Sequence, residues 1–459
     1  MRFATTIVTL VLLVMFGAGS VTAGFVPDYE SYTLKNGLRV IVAESHQEPM
    51  VVFRLMFMTG SGVDADGRHG LAAITTELIK MGTERYSGEM LAAVIDSVGG
   101  MINTDARRDM LVMEGDFLSR DLDLGFSCLA DMVVSPTLDP DDLGALKRRF
   151  ISYKLQLDAV TSDRLLTSLY GKIYGEESYG VTPTGTRSGL RRITIEDVRA
   201  YHATYMRPNN AVLVVGGDID IGSVKKQITR YFSTWKRGEE IVQPHITASS
   251  ADSLRIFLID RPNVPTTEFV MGLAAVPPDD EKFAPLILLN YILGGGGEVS
   301  RLYDDLIRGD ELVSAIRSQV DFSRHGGVFY VIGSAPTEMA ADALARIFDI
   351  QQELREIRVP MRELNDAKRF YQGYLPRYYE TSSSAVRRFG FLCGLNVAPN
   401  FYESLSKRIS EVDPQTLRKV ASEYLDPNHM YIIVAGPESR LKGSLMGLGS
   451  VEIERRGSE

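Results

Sequence analysis

The chain is poor in the residues that most quickly betray a class. Two cysteines in 459 residues exclude a disulfide scaffold, and the longest apolar run, Ile7 to Phe16, falls short of the roughly 20 residues that a membrane-spanning helix needs. No long Lys/Arg block occurs, and 50 Lys plus Arg against 59 Asp plus Glu leave a formal charge of −9, which excludes an electrostatic nucleic-acid footprint. Histidine is scarce too. The six are His46, His69, His202, His245, His325 and His429, and none has a second histidine four positions away to share a helix face as a metal-ligand pair. What remains, 44% hydrophobic and 24% charged, is ordinary globular composition in a chain long enough to bury sizeable cores without staples.

The first residues are those of an export leader. A single basic residue, Arg2, precedes the Ile7 to Phe16 apolar run, and the small residues Val21 and Ala23 sit where a cleavage site belongs. Residues 1–23 therefore read as a signal peptide, and the mature chain as exported, periplasmic or otherwise extracytoplasmic, with retention of the leader as an anchor left open. Cys128 and Cys393 could pair in such a compartment, but their wide separation in sequence gives no reason to bring them together, and two buried thiols are expected.

Beyond the leader, Leu38 to Ala43 and Val51 to Met58 read as strands, His69 to Met81 and Ser87 to Val98 as helices, and Met110 to Glu114 as a strand. Ser119 to Val134 and Pro140 to Asp158, the latter capped by Asp139, read as helices. Strands and helices are mixed without strict alternation, which favours an α+β fold with mostly antiparallel sheets over a doubly wound parallel one. The stretch Ile193 to Gly217 can be laid over Val412 to Gly436 at a constant offset of 219, matching Arg199 to Arg418, Tyr205 to Tyr424, Pro208 to Pro427, Asn209 to Asn428 and Gly217 to Gly436. Such an offset predicts two homologous domains of about 200 residues each. Their expected limits are 24–236 and 253–447, with the polar stretch 237–252 as linker and 448–459 as a tail.

The motif order supplies a resemblance. A Leu-Lys-Asn-Gly-Leu strand, GRHGLAAITTELIKMGT, Val98-Gly99-Gly100, Tyr179-Gly180 before Gly185-Thr186, and LGGGGEVSRLYDDL at Leu293 to Leu306 together resemble the insulinase, pitrilysin and mitochondrial processing peptidase family over nearly all of the mature chain. Active members of that family carry His-x-x-Glu-His on one helix, giving two zinc ligands and a general base, and a further Glu about eighty residues on. Here Gly70-Leu71-Ala72 and Gly82-Thr83 fix the register, and the three chemical positions are Ala73, Thr76 and Glu77. The distal window Lys147 to Leu157 holds no carboxylate. Leu71, Ile74, Leu78 and Met81 instead form an apolar stripe, with Glu77 and Lys80 expected on the solvent side.

The resemblance also implies an Arg and a Tyr in the second domain that hold the substrate. Ile307 and Ser314 stand at those positions, and Arg308 lies one residue away from the first. Gly294, Gly295, Gly296 and Gly297 correspond to a glycine-rich loop that contributes to substrate binding in a non-catalytic subunit, and a tight helix-to-helix turn is the equal alternative. The implied function is that of a non-catalytic, pseudo-peptidase subunit of an exported two-chain zinc metallopeptidase. Such a subunit carries no catalytic residue and binds no metal itself; zinc would lie in a homologous partner with an intact HxxEH, and peptide would be the substrate. A structural or assembly protein of the same fold, and an autonomous peptidase with an unorthodox metal site, are the rival readings.

Overall fold

The computed structural model describes residues 24–159, 161–175 and 179–454; the expected signal peptide lies outside them. The first half runs β1 (Glu30–Thr33), β2 (Arg39–Glu44), β3 (Met50–Phe57), α1 (Leu71–Leu78), α2 (Gly88–Asp96), β4 (Met101–Ala106), β5 (Leu111–Leu118), α3 (Leu122–Val134), α4 (Pro140–Ala159), α5 (Thr161–Tyr174), α6 (Arg187–Arg192), α7 (Ile195–Tyr205), β6 (Ala211–Gly217) and α8 (Ile221–Phe232). The second runs β7 (Arg255–Asp260), β8 (Thr266–Ala274), α9 (Phe283–Asn290), α10 (Arg301–Tyr303), β9 (Ala315–Ser323), β10 (Gly326–Pro336), α11 (Ala340–Glu356), α12 (Met361–Tyr374), α13 (Ser382–Gly394), α14 (Phe401–Glu411), α15 (Pro414–Tyr424), β11 (Tyr431–Gly436), α16 (Glu438–Leu445) and β12 (Ser450–Glu454). Residues 237–250 between the halves carry no helix or strand.

Each half builds one mixed, mostly antiparallel sheet, ordered β1-β2-β6-β3-β5-β4 and β12-β7-β11-β8-β10-β9. The duplication read from α7–β6 and α15–β11 extends through both sheets except at one edge. There β1 pairs antiparallel with β2, whereas β12, which falls within the stretch expected to be a tail, pairs parallel with β7. Cys128 and Cys393 are free and buried, in separate cores.

Strand side chains alternate between two faces. In the first sheet Val40, Val51, Phe53, Leu55 and Leu213 face α1, α3 and α8 of their own half. The opposite face, with Ile41, Val52, Met56, Val112 and Val214, is covered by Val386, Phe389 and Leu392 of α13, a helix of the other half. The second sheet is treated reciprocally. Its Phe257, Val270, Val328, Tyr330 and Ile433 lie under Leu165, Leu169 and Ile173 of α5, a helix of the first half. The approach of α13 is close: a Cβ on Gly390 would stand 2.5 Å from Met56 Sδ, and one on Gly216 2.6 Å from Val386 Cγ2. Polar groups tie the same seam. The Arg324 guanidinium donates to the carbonyls of Met58 (2.8 Å) and Gly394 (2.7 Å), and its backbone N–H donates to the Asp109 carboxylate (2.7 Å).

Because α13 closes the first half, Phe389→Ala is expected to destabilise that half by about 3–5 kcal/mol although residue 389 belongs to the second. The sole tryptophan, Trp235, reports on the first half. A urea titration followed by its fluorescence should show the loss; an unmoved Trp235 transition would refute the coupling.

Candidate functional site at the degenerate metal centre

The helix that carries the metal motif in active relatives is α1. Its first N–H groups are met by a buried carboxylate: Asp64 accepts from the backbone of Gly70 (2.7 Å) and Ala72 (2.8 Å). Burial pushes the Asp64 carboxyl up to about 7 in spite of these donors. Gly70 sits at φ 102°, where a glycine is favoured, and a Cβ there would meet Leu190 Cδ2 at 2.8 Å. Asp64 was not singled out by the sequence reading. The signal available was an Asp a few residues before a helix with no other N-terminal cap.

The expected solvent side of α1 is only partly solvated, with Glu77 and Lys80 half-buried. Leu71 through Thr76 and Leu78 are all buried, because α4, α7 and β4 pack around the helix. The Ala73 side chain ends in a methyl, and the Thr76 hydroxyl donates to the Ala72 carbonyl at 2.7 Å. Glu77 is half-buried and bound on several sides. It accepts from the Thr104 hydroxyl of β4, pairs with Lys80 Nζ at 3.0 Å, and pairs with Arg149 Nη2 of α4 at 2.9 Å. Burial raises its pKa, but Lys80, the Thr104 hydroxyl and Arg149 outweigh that effect and hold the carboxyl below its ordinary range.

Arg149 comes from the window in which active relatives keep their distal ligand. That window therefore brings a guanidinium, not a carboxylate, to Glu77, and the one carboxylate at the motif is already paired with two cations. These residues do not fit a zinc ion. Among the described residues, no group of three or more His, Cys, Asp and Glu side chains is placed to hold a metal.

The three motif positions line a cavity of about 340 Å³ with Thr104, Asp105, Arg149, Tyr153 and Thr184. Tyr153 and Thr184 also line a neighbouring cavity of about 350 Å³, which shares Arg108, Tyr170, Pro183 and Asp321 with a third of about 480 Å³. The three form a chain of openings running from α1 to the seam between the halves.

The second-half candidates lie elsewhere. Arg308 is exposed and pairs with Asp304 one turn back (2.7 Å), Ile307 packs against the core, and the Ser314 hydroxyl contacts Ser334 Oγ at 2.8 Å. Gly294 is buried where α9 ends and presses on β9, so that a Cβ would stand 2.6 Å from the Ser318 nitrogen. Gly295 and Gly297 are exposed, and Gly297 turns the chain at φ 64°.

This architecture, a duplicated sheet-and-helix unit with an erased metal motif on the first helix, defines a peptidase fold without the peptidase centre. The chain belongs to the insulinase family, peptidase family M16. Residues 39–181 match the family's description Insulinase (Peptidase family M16), and residues 192–371 match Peptidase M16 inactive domain. It is similar to the "Non-peptidase homolog YmxG" of Helicobacter pylori, 22% identical over 88% of this chain and 93% of that one. The "Zinc protease PqqE" of the same organism is 22% identical over 90% and 94%. The "Probable mitochondrial-processing peptidase subunit beta" of Arabidopsis thaliana is 20% identical over 90% and 79%. Among solved structures, a peptidase M16 inactive domain from Pseudomonas fluorescens superposes with a TM-score of 0.82 at 22% identity, covering 89% of this chain and 98% of that one.

Two outcomes follow from the filled site. The purified protein dialysed against micromolar zinc should retain none by mass spectrometry; one equivalent per chain would overturn the assignment. Arg149→Ala should cost up to about 1 kcal/mol at pH 7 and raise the Glu77 pKa. Since a depressed carboxyl stabilises the fold above its unfolded pKa and loses that contribution as the pH falls, the difference from wild type should close between about pH 5 and pH 3. Paired unfolding curves across that range check it.

Proposed function

We propose that this chain is the non-catalytic subunit of an exported two-chain zinc metallopeptidase, closing one side of the chamber in which a homologous partner with an intact HxxEH cuts peptides. The observation that carries this reading is the coexistence of a filled metal position with a retained chain of cavities beside it. In this reading the catalytic residues come from the partner, and the cavities of this chain supply room for the substrate.

The cavity beside Glu77 is lined by Thr104, Asp105 and Ala106 of β4, an edge strand that among the described residues pairs only with β5. Its outer side offers main-chain donors and acceptors to an extended peptide, which binds by adding a strand with little demand on sequence. The exposed backbone of Gly295 and Gly297 is a second place for peptide contact in this reading, and the exposed Arg308 a third. Two relatives support the reading by their names, one a non-peptidase homolog and one a subunit of a processing peptidase. Export rests on the leader at residues 1–23. Among the described residues no helix is long and apolar enough to cross a membrane.

The test is reconstitution. The mature chain and a homologue carrying intact HxxEH, each purified alone and then mixed, are assayed on a quenched fluorescent peptide. Cleavage that arises only in the mixture is the expected result. A stable pair that cuts nothing with any divalent metal would leave a structural or assembly role, and cleavage by this chain alone would refute the subunit assignment.

A further inference from the structure

The third cavity, at the seam, is unlike the first. Of the three arginines on its wall, two come from opposite halves and lack a carboxylate partner among the described residues: Arg108 from the loop between β4 and β5 and Arg388 from α13. Each lies flat on a tyrosine ring: Arg108 Cζ is 3.8 Å from the centroid of Tyr170, and Arg388 Cζ is 3.4 Å from that of Tyr378. Each spends one donor on the protein, Arg108 Nε on the Tyr179 carbonyl (2.8 Å) and Arg388 Nη1 on the Tyr402 hydroxyl (2.9 Å). Neither forms an ion pair with a carboxylate among the described residues, so most of their ten N–H donors are left for a ligand.

The other charged groups on this wall are already engaged. Arg107 pairs with Asp105 (2.7 Å), Asp109 is held by the Arg324 N–H and the Tyr179 hydroxyl, and Asp321 accepts from Gln319 (2.6 Å) and feels the Arg108 charge without pairing with it directly. Two guanidiniums without a direct carboxylate partner, each stacked on an aromatic ring, are a recognition arrangement for carboxylates, since each offers a planar fork of donors with little freedom left to lose.

We infer that the seam cavity binds carboxylate groups of a peptide, with Arg108 and Arg388 as the paired ligands, giving the chamber a preference for acidic substrates. This rests on the chamber reading above. Because the two arginines come from different halves, the site exists only while α13 is docked on the first sheet.

The test uses the whole mature chain and fluorescein-labelled ten-residue peptides of alternating Ala and Glu, or Ala and Gln, with blocked ends, at low ionic strength. The Glu peptide should bind at least about tenfold tighter by anisotropy, and Arg108→Gln/Arg388→Gln should abolish the difference. The Arg108→Lys/Arg388→Lys variant, which keeps the charge, should retain part of it, and Trp235 fluorescence checks that each variant is folded. A Gln peptide with a free C-terminus that binds as tightly as the Glu peptide would place the recognised carboxylate at the chain end. Equal binding of the blocked Glu and Gln peptides, or a preference surviving in the folded Gln variant, overturns the inference. Acid-selective binding without cleavage by the mixed pair would sink the subunit reading alone, and cleavage with no acid preference would sink this one alone.

Discussion

Everything in this fold depends on the reciprocal exchange of α5 and α13. Each half builds a sheet with two apolar faces, but its own helices cover only one. The second face of each sheet is buried by a helix that the sequence assigns to the other half. A sheet with one face bare would leave Ile41, Val52, Met56 and Val214, or Phe257, Val270 and Ile433, in water, at a cost of roughly 25 cal/mol for each Å² of apolar surface exposed. The two domains are therefore one folding unit. The seam where they meet carries a cavity lined from both sides.

The same exchange separates what the sequence revealed from what it hid. The 219-residue offset was legible because α7–β6 and α15–β11 repeat a helix, a Pro-Asn turn and a buried strand, elements whose patterns are local. Which sheet an amphipathic helix covers is not local, and α5 reads as well against either. β4 escaped notice for a different reason. Met101–Ala106 is an edge strand with no fully buried side chain, so it lacks both the alternation by which β2 was found and the apolar run by which β3 was.

The candidate site divides along the same line. That Ala73, Thr76 and Glu77 had replaced the metal motif could be read from the flanking glycines. What Glu77 does could not, because its partners Thr104 and Arg149 lie 27 and 72 residues away. The apolar stripe of α1 suggested a free outer face, whereas β4 and α4 partly cover it and leave a cavity between them. Arg108 and Arg388 carried no signal at all, since each becomes meaningful only beside a tyrosine and a groove assembled from several distant segments.

The ion cluster at Glu77 has one more consequence. A protein that neutralises its centre with a dissociable ion gains stability by mass action, in proportion to RT ln(1 + [L]/Kd), so its folded population follows the supply of that ion. Here the neutralising charges, Lys80 and Arg149, are covalently part of the chain, and their effective concentration is fixed by α1 and α4 rather than by the surrounding fluid. The centre is neutralised at the moment the chain folds and cannot be emptied by a chelator or by scarcity.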